Sequence, residues 1–227
     1  MAVTYGERAG NDLEQVRRQH DKLKTDVRVA IPGIVVSFDP VAQVASVQPA
    51  VRERWRDQHG NLNWVQMPVL LDVAVVFPRA GDFVLTMPLQ AGDEVLVIFA
   101  DMDYSAWWAN GGVQNQEDIR RHDLSDAICI PGPWSQPRVI QSYNTTAAEL
   151  RSLDGTTKVT VKQGEIDITA ATVNVNGNLN VSGALDVSES ITGGASTLAS
   201  ATIGDKDFGS HIHGGVQTGS GDTGPPA

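Results

Sequence analysis

The stretch "KVTVKQGEIDITAATVNVNGNLNVSGALDVSESITG", residues 158–193, alternates aliphatic and short polar residues for nearly its whole length. Val159 and Val161, Ile166 and Ile168, Val173 and Val175, Leu179 and Val181, Leu185 and Val187, and then Ile191 follow one another, with Gly164, Gly177 and Gly183 where a strand would turn or bulge. Side chains at i and i+2 of a strand share a face, so each pair predicts a short strand with one apolar side. A single layer of such strands has nothing to cover its aliphatic face and leaves its edges open. Roughly forty residues are too few to coil into a solenoid within one chain. Three identical chains wound about one axis bring the faces together and pair the edges between chains. Burying the eleven aliphatic residues named would contribute on the order of 15–30 kcal/mol per chain before conformational entropy is subtracted. A homotrimeric, β-helical prism over residues 143–203 is the expectation.

Past this array the tail, residues 204–227, holds "HIHGG" at 211–215, with two of the chain's five histidines. In an extended segment His211 and His213 face one way and Ile212 the other. Two imidazoles are half a metal site, and a threefold axis multiplies them to six nitrogens around one point. Six nitrogens in octahedral array suit iron or nickel, whereas structural zinc takes four ligands. The expectation is Fe²⁺, one ion per trimer, although imidazole ligation alone also admits nickel and zinc. Gly214 and Gly215 allow a sharp turn, and "VQTGSGDTGPPA" could fold back as a small cap.

Ahead of the array the chemistry differs. "VRVAIPGIVVSFDPVAQVASVQPAVRERW", residues 27–55, alternates around the turn signals "IPG" and "FDP", and "QHGNLNW" predicts a hairpin turn. "PVLLDVAVVFP", "RAGDFVLTMPLQAGDEVLVIFAD" and "DAICIPG" complete five or six short strands, the pattern of a small β-barrel or sandwich over residues 26–142. All five tryptophans and all three tyrosines precede residue 144, so this domain is expected to hold the aromatic core. Residues 1–25, with Leu13, Val16 and Leu23 on one thin stripe, read as a helical or disordered attachment arm. The fold class is therefore all-β.

Composition narrows the function. The 227 residues are 41 % hydrophobic and 19 % charged, with a formal net charge of −10. That charge disfavours nucleic acid, which is bound by Lys and Arg releasing counterions, and disfavours adhesion to anionic lipid. No apolar run approaches a membrane span and "MAVTYGERAGNDLEQ" lacks the apolar core of a secretory signal, so synthesis in a cytosol is expected. The single cysteine, Cys129, is expected to fill an apolar strand position.

Two stretches carry a family resemblance. "DFGSHIHGGVQTGSGDTGPP" resembles the apex of the central spike proteins of contractile-tailed bacteriophages, and "VIFADMDYSAWWANGG" with "RRHDLSDAICIPG" resembles their N-terminal oligonucleotide/oligosaccharide-binding (OB) domain. The resemblance covers barrel, β-helix and tip in that order and leaves the first twenty-five or so residues unmatched. It implies a homotrimer in the virion's tail baseplate, an OB-fold collar attached to the tail hub, a shaft, and an iron-binding apex whose ligands are His211 and His213. It also implies a structural device that pierces the host outer membrane and enters the cell envelope on infection, with no catalytic residues.

Two other readings stand beside this one. A phage tail hydrolase or depolymerase would need paired acids in a groove. Asp154, Glu165, Asp167, Asp186 and Glu189 lie along the array, where acids are usually solvent-facing decoration, as are the outward positions Thr160, Lys162, Thr169, Asn174, Asn176, Asn178, Asn180 and Ser182. Asp101 and Asp103 near Trp107 and Trp108 form a denser cluster, but paired tryptophans in a small barrel are read first as core or interface. There is no G-x-S-x-G nucleophile motif. A glycan-binding tail module is the other alternative, since OB folds bind oligosaccharides.

Overall fold

The structure, a computed structural model, describes residues 15–17, 19–20, 27–204, 206–207 and 219. The chain divides into two compact units, Met1–Ala170 and Ala171–Ala227.

The first unit is built on a closed five-stranded barrel. Its strands are β1 (Ala30–Asp39), β2 (Val44–Pro49), β5 (Leu70–Val75), β8 (Glu94–Phe99) and β9 (Ala127–Pro131), in the spatial order β1-β2-β5-β9-β8. Neighbours are antiparallel except β5 and β9, which run parallel, and β1 closes the barrel by pairing with both β2 and β8. This is the small Greek-key barrel of the OB class. Between these strands lie two hairpins, β3 (Glu53–Arg56) with β4 (Leu62–Val65) and β6 (Arg79–Ala80) with β7 (Phe83–Val84).

Alternation in the sequence becomes alternation in space. In β2 and in β8 every second residue is buried, placing Ala45, Val47, Val95, Val97 and Phe99 inside the barrel with Val35, Val73 and Cys129. The wall is thin enough that a Cβ on Gly33 would meet Val47 Cγ1 at 2.5 Å. The register shift between Val35 and Ser37 in β1 bends the strand around the barrel. "FDP" and "QHGNLNW" form the predicted turns, with Asp39 Oδ1 accepting from Val41 N at 2.8 Å and Asp57 Oδ1 accepting from Asn61 N at 2.8 Å. "IPG" does not turn: Pro32 and Gly33 lie within β1, opposite Leu96 and Val95.

The expected aromatic core is absent from the described residues. All five tryptophans are between 40 % and 64 % exposed, and the interior is aliphatic apart from Phe99 and Cys129. The lumen of a five-stranded barrel is filled by valine- and alanine-sized side chains, so the indoles stand outside it. Cys129 occupies the apolar strand position expected, and burial pushes its thiol up to about 11, which keeps it protonated and unreactive at neutral pH.

After the barrel, β10 (Ala148–Arg151), β11 (Lys158–Lys162) and β12 (Glu165–Thr169) form an antiparallel sheet. The register sets Ala148 beside Val161 and Ile166, and Leu150 beside Val159 and Ile168, so these six share one face. All but Val159 are exposed. The opposite face carries Glu149, Arg151, Lys158, Thr160, Lys162, Glu165 and Asp167. Thr160, expected to point outward, is 3 % exposed and donates to Glu149 Oε1 at 3.3 Å. The polar face of this sheet is thus the better covered one.

The second unit departs from expectation. Residues 171–201 contain no strand, although Val173, Val175, Leu179, Val181, Leu185, Val187 and Ile191 keep their alternation and are all exposed. A ladder needs a neighbouring strand, and within one chain this segment has none. A two-stranded pair follows, β13 (Thr202–Ile203) with β14 (Lys206–Asp207). Of the N-terminal arm, residues 15–17 and 19–20 are helical and exposed.

Candidate functional site

The connection from β8 to β9 carries the densest chemistry in the first unit. It begins with the short helix α1 (Ser105–Asn110), led in by Asp103. Asp103 Oδ1 accepts from the backbone N–H of Ser105 at 3.0 Å and from its hydroxyl at 2.6 Å, while Oδ2 accepts from the N–H of Asp118 at 2.9 Å. Arg120 ties the loop together. Its Nη2 donates to Asp103 Oδ1 at 2.6 Å and to Asp126 Oδ1 at 2.9 Å, and its Nε donates to Asp126 Oδ2 at 2.6 Å. Both carboxylates are almost wholly buried, and the guanidinium is 26 % exposed.

These contacts set the acid strength of Asp103. Hydrogen bonds from Ser105, then from Asp118, with the charge of Arg120 added, outweigh burial and hold its carboxyl at about 2, below the usual 3.8. Because the folded value is the lower one, the stability contributed is complete above about pH 4 and is lost as pH falls through about 2. An acid titration followed by near-ultraviolet circular dichroism should show the barrel weakening across that window. Asp103→Asn should flatten the dependence, and an unchanged acid limb in that variant would remove Asp103 as its source.

Asp101 and Asp103 therefore do not make a catalytic acid pair. Asp101 is exposed and engaged by Arg121 at 2.8 Å and by His122 at 3.4 Å, and Asp103 is locked to Arg120. The acids of the array are equally committed where they pair. Asp167 accepts from Lys162 at 2.5 Å, Glu165 lies 3.4 Å from the same ammonium, and Asp154 accepts from Ser152 and Thr156 in a turn. Asp186 and Glu189 are exposed in the second unit. Asp167 lines a groove together with Glu149, and each of the two is paired there with a lysine, Lys162 and Lys158 respectively.

The two tryptophans have a different setting. Trp107 and Trp108 on α1 line a groove of about 650 Å³ with Phe77, Phe83 and Arg79 of the β6–β7 region and with Gln43 from the β1–β2 turn. Of the two positions expected, core or interface, the first fails, since both indoles are about half exposed. Trp107 is nonetheless held in place. Trp107 packs edge-on against Tyr104 at 6.2 Å, and Tyr104 donates its hydroxyl to the Ala127 carbonyl at 2.7 Å. Burial, with Asp126 nearby, pushes the Tyr104 phenol up to about 12, so it stays a donor. On the other wall Phe77 sits edge-on to Phe38 at 6.3 Å. Sequence reading missed Arg120 and the groove. The signal for the first was the repeated Asp-x-Ser at 103–105 and 123–125, each carboxylate accepting from the serine two residues on.

His211 and His213, the expected metal ligands, lie outside the described residues. Among the described residues no cluster of three or more His, Cys, Asp or Glu could hold a metal ion, and no helix is long and apolar enough to cross a membrane.

Residues 31–132 match the phage protein Gp138 N-terminal domain, and residues 208–227 match the GpV Apex motif. The first match runs from β1 to the end of the barrel, and the second takes in both tail histidines. No curated protein matches the chain. A barrel of the first kind followed in sequence by an apex of the second defines the class of contractile-tail spike proteins. The chain is a phage tail spike protein and so a component of the virion.

Proposed function

We propose that this spike is the membrane-piercing tip of the baseplate, acting as a homotrimer without catalysis. The observation that carries the reading is the aliphatic face of β10–β12, which lies open to solvent and is followed in sequence by the exposed alternation from Val173 to Ile191. So much ordered aliphatic surface is costly in water, and it is covered when two further copies bring the same face to a common axis. The unpaired segment 171–201 then gains its ladder from the neighbouring chains.

At the apex, His211 and His213 from three chains supply six neutral imidazole donors, a set suited to one Fe²⁺. His211 and His213 of the three chains would hold the ion, whose coordination would tie the three termini together, so that fraying of one chain would cost coordination as well as packing. The barrel serves as the collar that attaches to the tail hub, and sheath contraction supplies the force that drives the tip through the outer membrane. The families matched are structural spike domains, and the committed acids of the β8–β9 loop and of β12 are in keeping with that.

Metal analysis alongside a solution mass tests the reading. One iron per three chains is expected for the full chain. In the His211→Ala/His213→Ala double variant the iron should be lost while the trimeric mass persists, because the aliphatic contacts supply most of the association energy. A monomer without bound metal would end the proposal.

A further inference from the structure

We infer that the groove floored by Trp107 and Trp108 is a binding site for an uncharged oligosaccharide. It lies between the β1–β2 turn, which supplies Gln43, and the β8–β9 connection, which supplies the indoles. In a barrel of this topology those two connections flank the face on which oligonucleotides and oligosaccharides are held. The volume, about 650 Å³, falls within the range of small-ligand pockets.

The lining chooses between those ligand classes. A single-strand site needs a basic groove to follow the phosphates. Here one arginine, Arg79, is set against one aspartate, Asp82, and the local charge sums to zero on a chain of net charge −10. The half-exposed indoles and Phe83 offer flat apolar faces of the size of a pyranose ring's C–H face. Gln43, Arg79, Asp82 and Thr86 bring an amide, a guanidinium, a carboxylate and a hydroxyl to the same groove, and among the described residues none of the four uses its side chain in a hydrogen bond or ion pair. Flat apolar faces with uncommitted donors and acceptors around them complement a ligand made of C–H faces ringed by hydroxyls. The support is already in place: Tyr104 and Phe38 hold the two aromatic walls edge-on, and the Arg120 network fixes the loop that leads into α1.

The inference concerns the barrel alone and does not depend on threefold assembly. The full chain is titrated, with intrinsic tryptophan fluorescence as readout, against tetra-N-acetylchitotetraose and, separately, against dephosphorylated core oligosaccharide released from lipopolysaccharide. The two arms distinguish a cell-wall glycan from an outer-membrane one. Saturable quenching by at least one sugar is expected, weakened about five- to tenfold by Trp108→Ala and by Arg79→Ala, and unaltered by Trp64→Ala on the β3–β4 hairpin, which does not line the groove. Arg79 is an exposed rim residue, so its variant tests the groove without disturbing the fold. The inference is overturned if neither sugar gives a saturable change up to about 10 mM, a level that would already mean very weak binding. It is equally overturned if both groove variants are quenched as the unsubstituted chain is, or if Trp108→Ala changes only the sedimenting mass, which would make the groove a protein contact.

Discussion

Arg120→Ala is expected to lower the thermal midpoint of the barrel by on the order of 10 °C. The guanidinium is the counter-charge for two carboxylates, Asp103 and Asp126, whose side chains are 1 % and 2 % exposed. Removing it leaves Asp126 buried without its partner and Asp103 with only the neutral donors of Ser105, Glu117 and Asp118, and that penalty exceeds the worth of the pair itself. Arg120→Lys should recover only part of the loss, since an ammonium is a point charge and cannot span two carboxylates as the planar fork does. Arg121→Ala is the control. Its partner Asp101 is exposed, and breaking a solvated pair should move the midpoint by no more than about 1–2 °C. Equal shifts for Arg120→Ala and Arg121→Ala in a circular dichroism melt would show that burial does not govern this loop.

That network also explains what could be read from the sequence and what could not. Strands β2 and β8 were legible because both are barrel staves with one face inward, and a period of two survives intact when the inner face is the core. The parallel pairing of β5 with β9 was not, because it joins Ala74 to Ile128 across more than fifty residues and no local pattern encodes it. Arg120 stands 17 residues from Asp103 and looks in sequence like one charge in a solvated run. The tryptophans misled for a geometric reason: apolarity predicts burial, but a lumen sized for Val47 and Val97 cannot take an indole. In the second unit the opposite happened. The alternation from Val173 to Ile191 is as clear as in β2, yet forms no strand in a single chain, because pattern specifies a face and a ladder still requires a neighbour. The expected metal ligands, His211 and His213, rest on the threefold multiplication and the apex resemblance, and they fall outside the described residues.

In the proposed trimer, a double charge on the aliphatic face of β10–β12, Ile166→Asp with Ile168→Asp, should convert the assembly to monomers. Both side chains lie on β12 on the same face as Leu150 and Val161 and are largely exposed in the single chain. Full burial of one such side chain is worth about 1.5–3 kcal/mol. Two positions in each of the three chains proposed make six, so in that assembly the substitution would remove a large share of the association energy and set six carboxylates around one axis. The barrel closes through its own strands and should keep its circular dichroism and melting midpoint. Asp167→Ala, between the two positions but on the polar face where it meets Lys162, should leave the mass unchanged. Sedimentation equilibrium separates the outcomes. Trimers that survive the double substitution would mean that association does not run through this face, and the same result would detach the apex histidines from the threefold axis that makes six donors out of two.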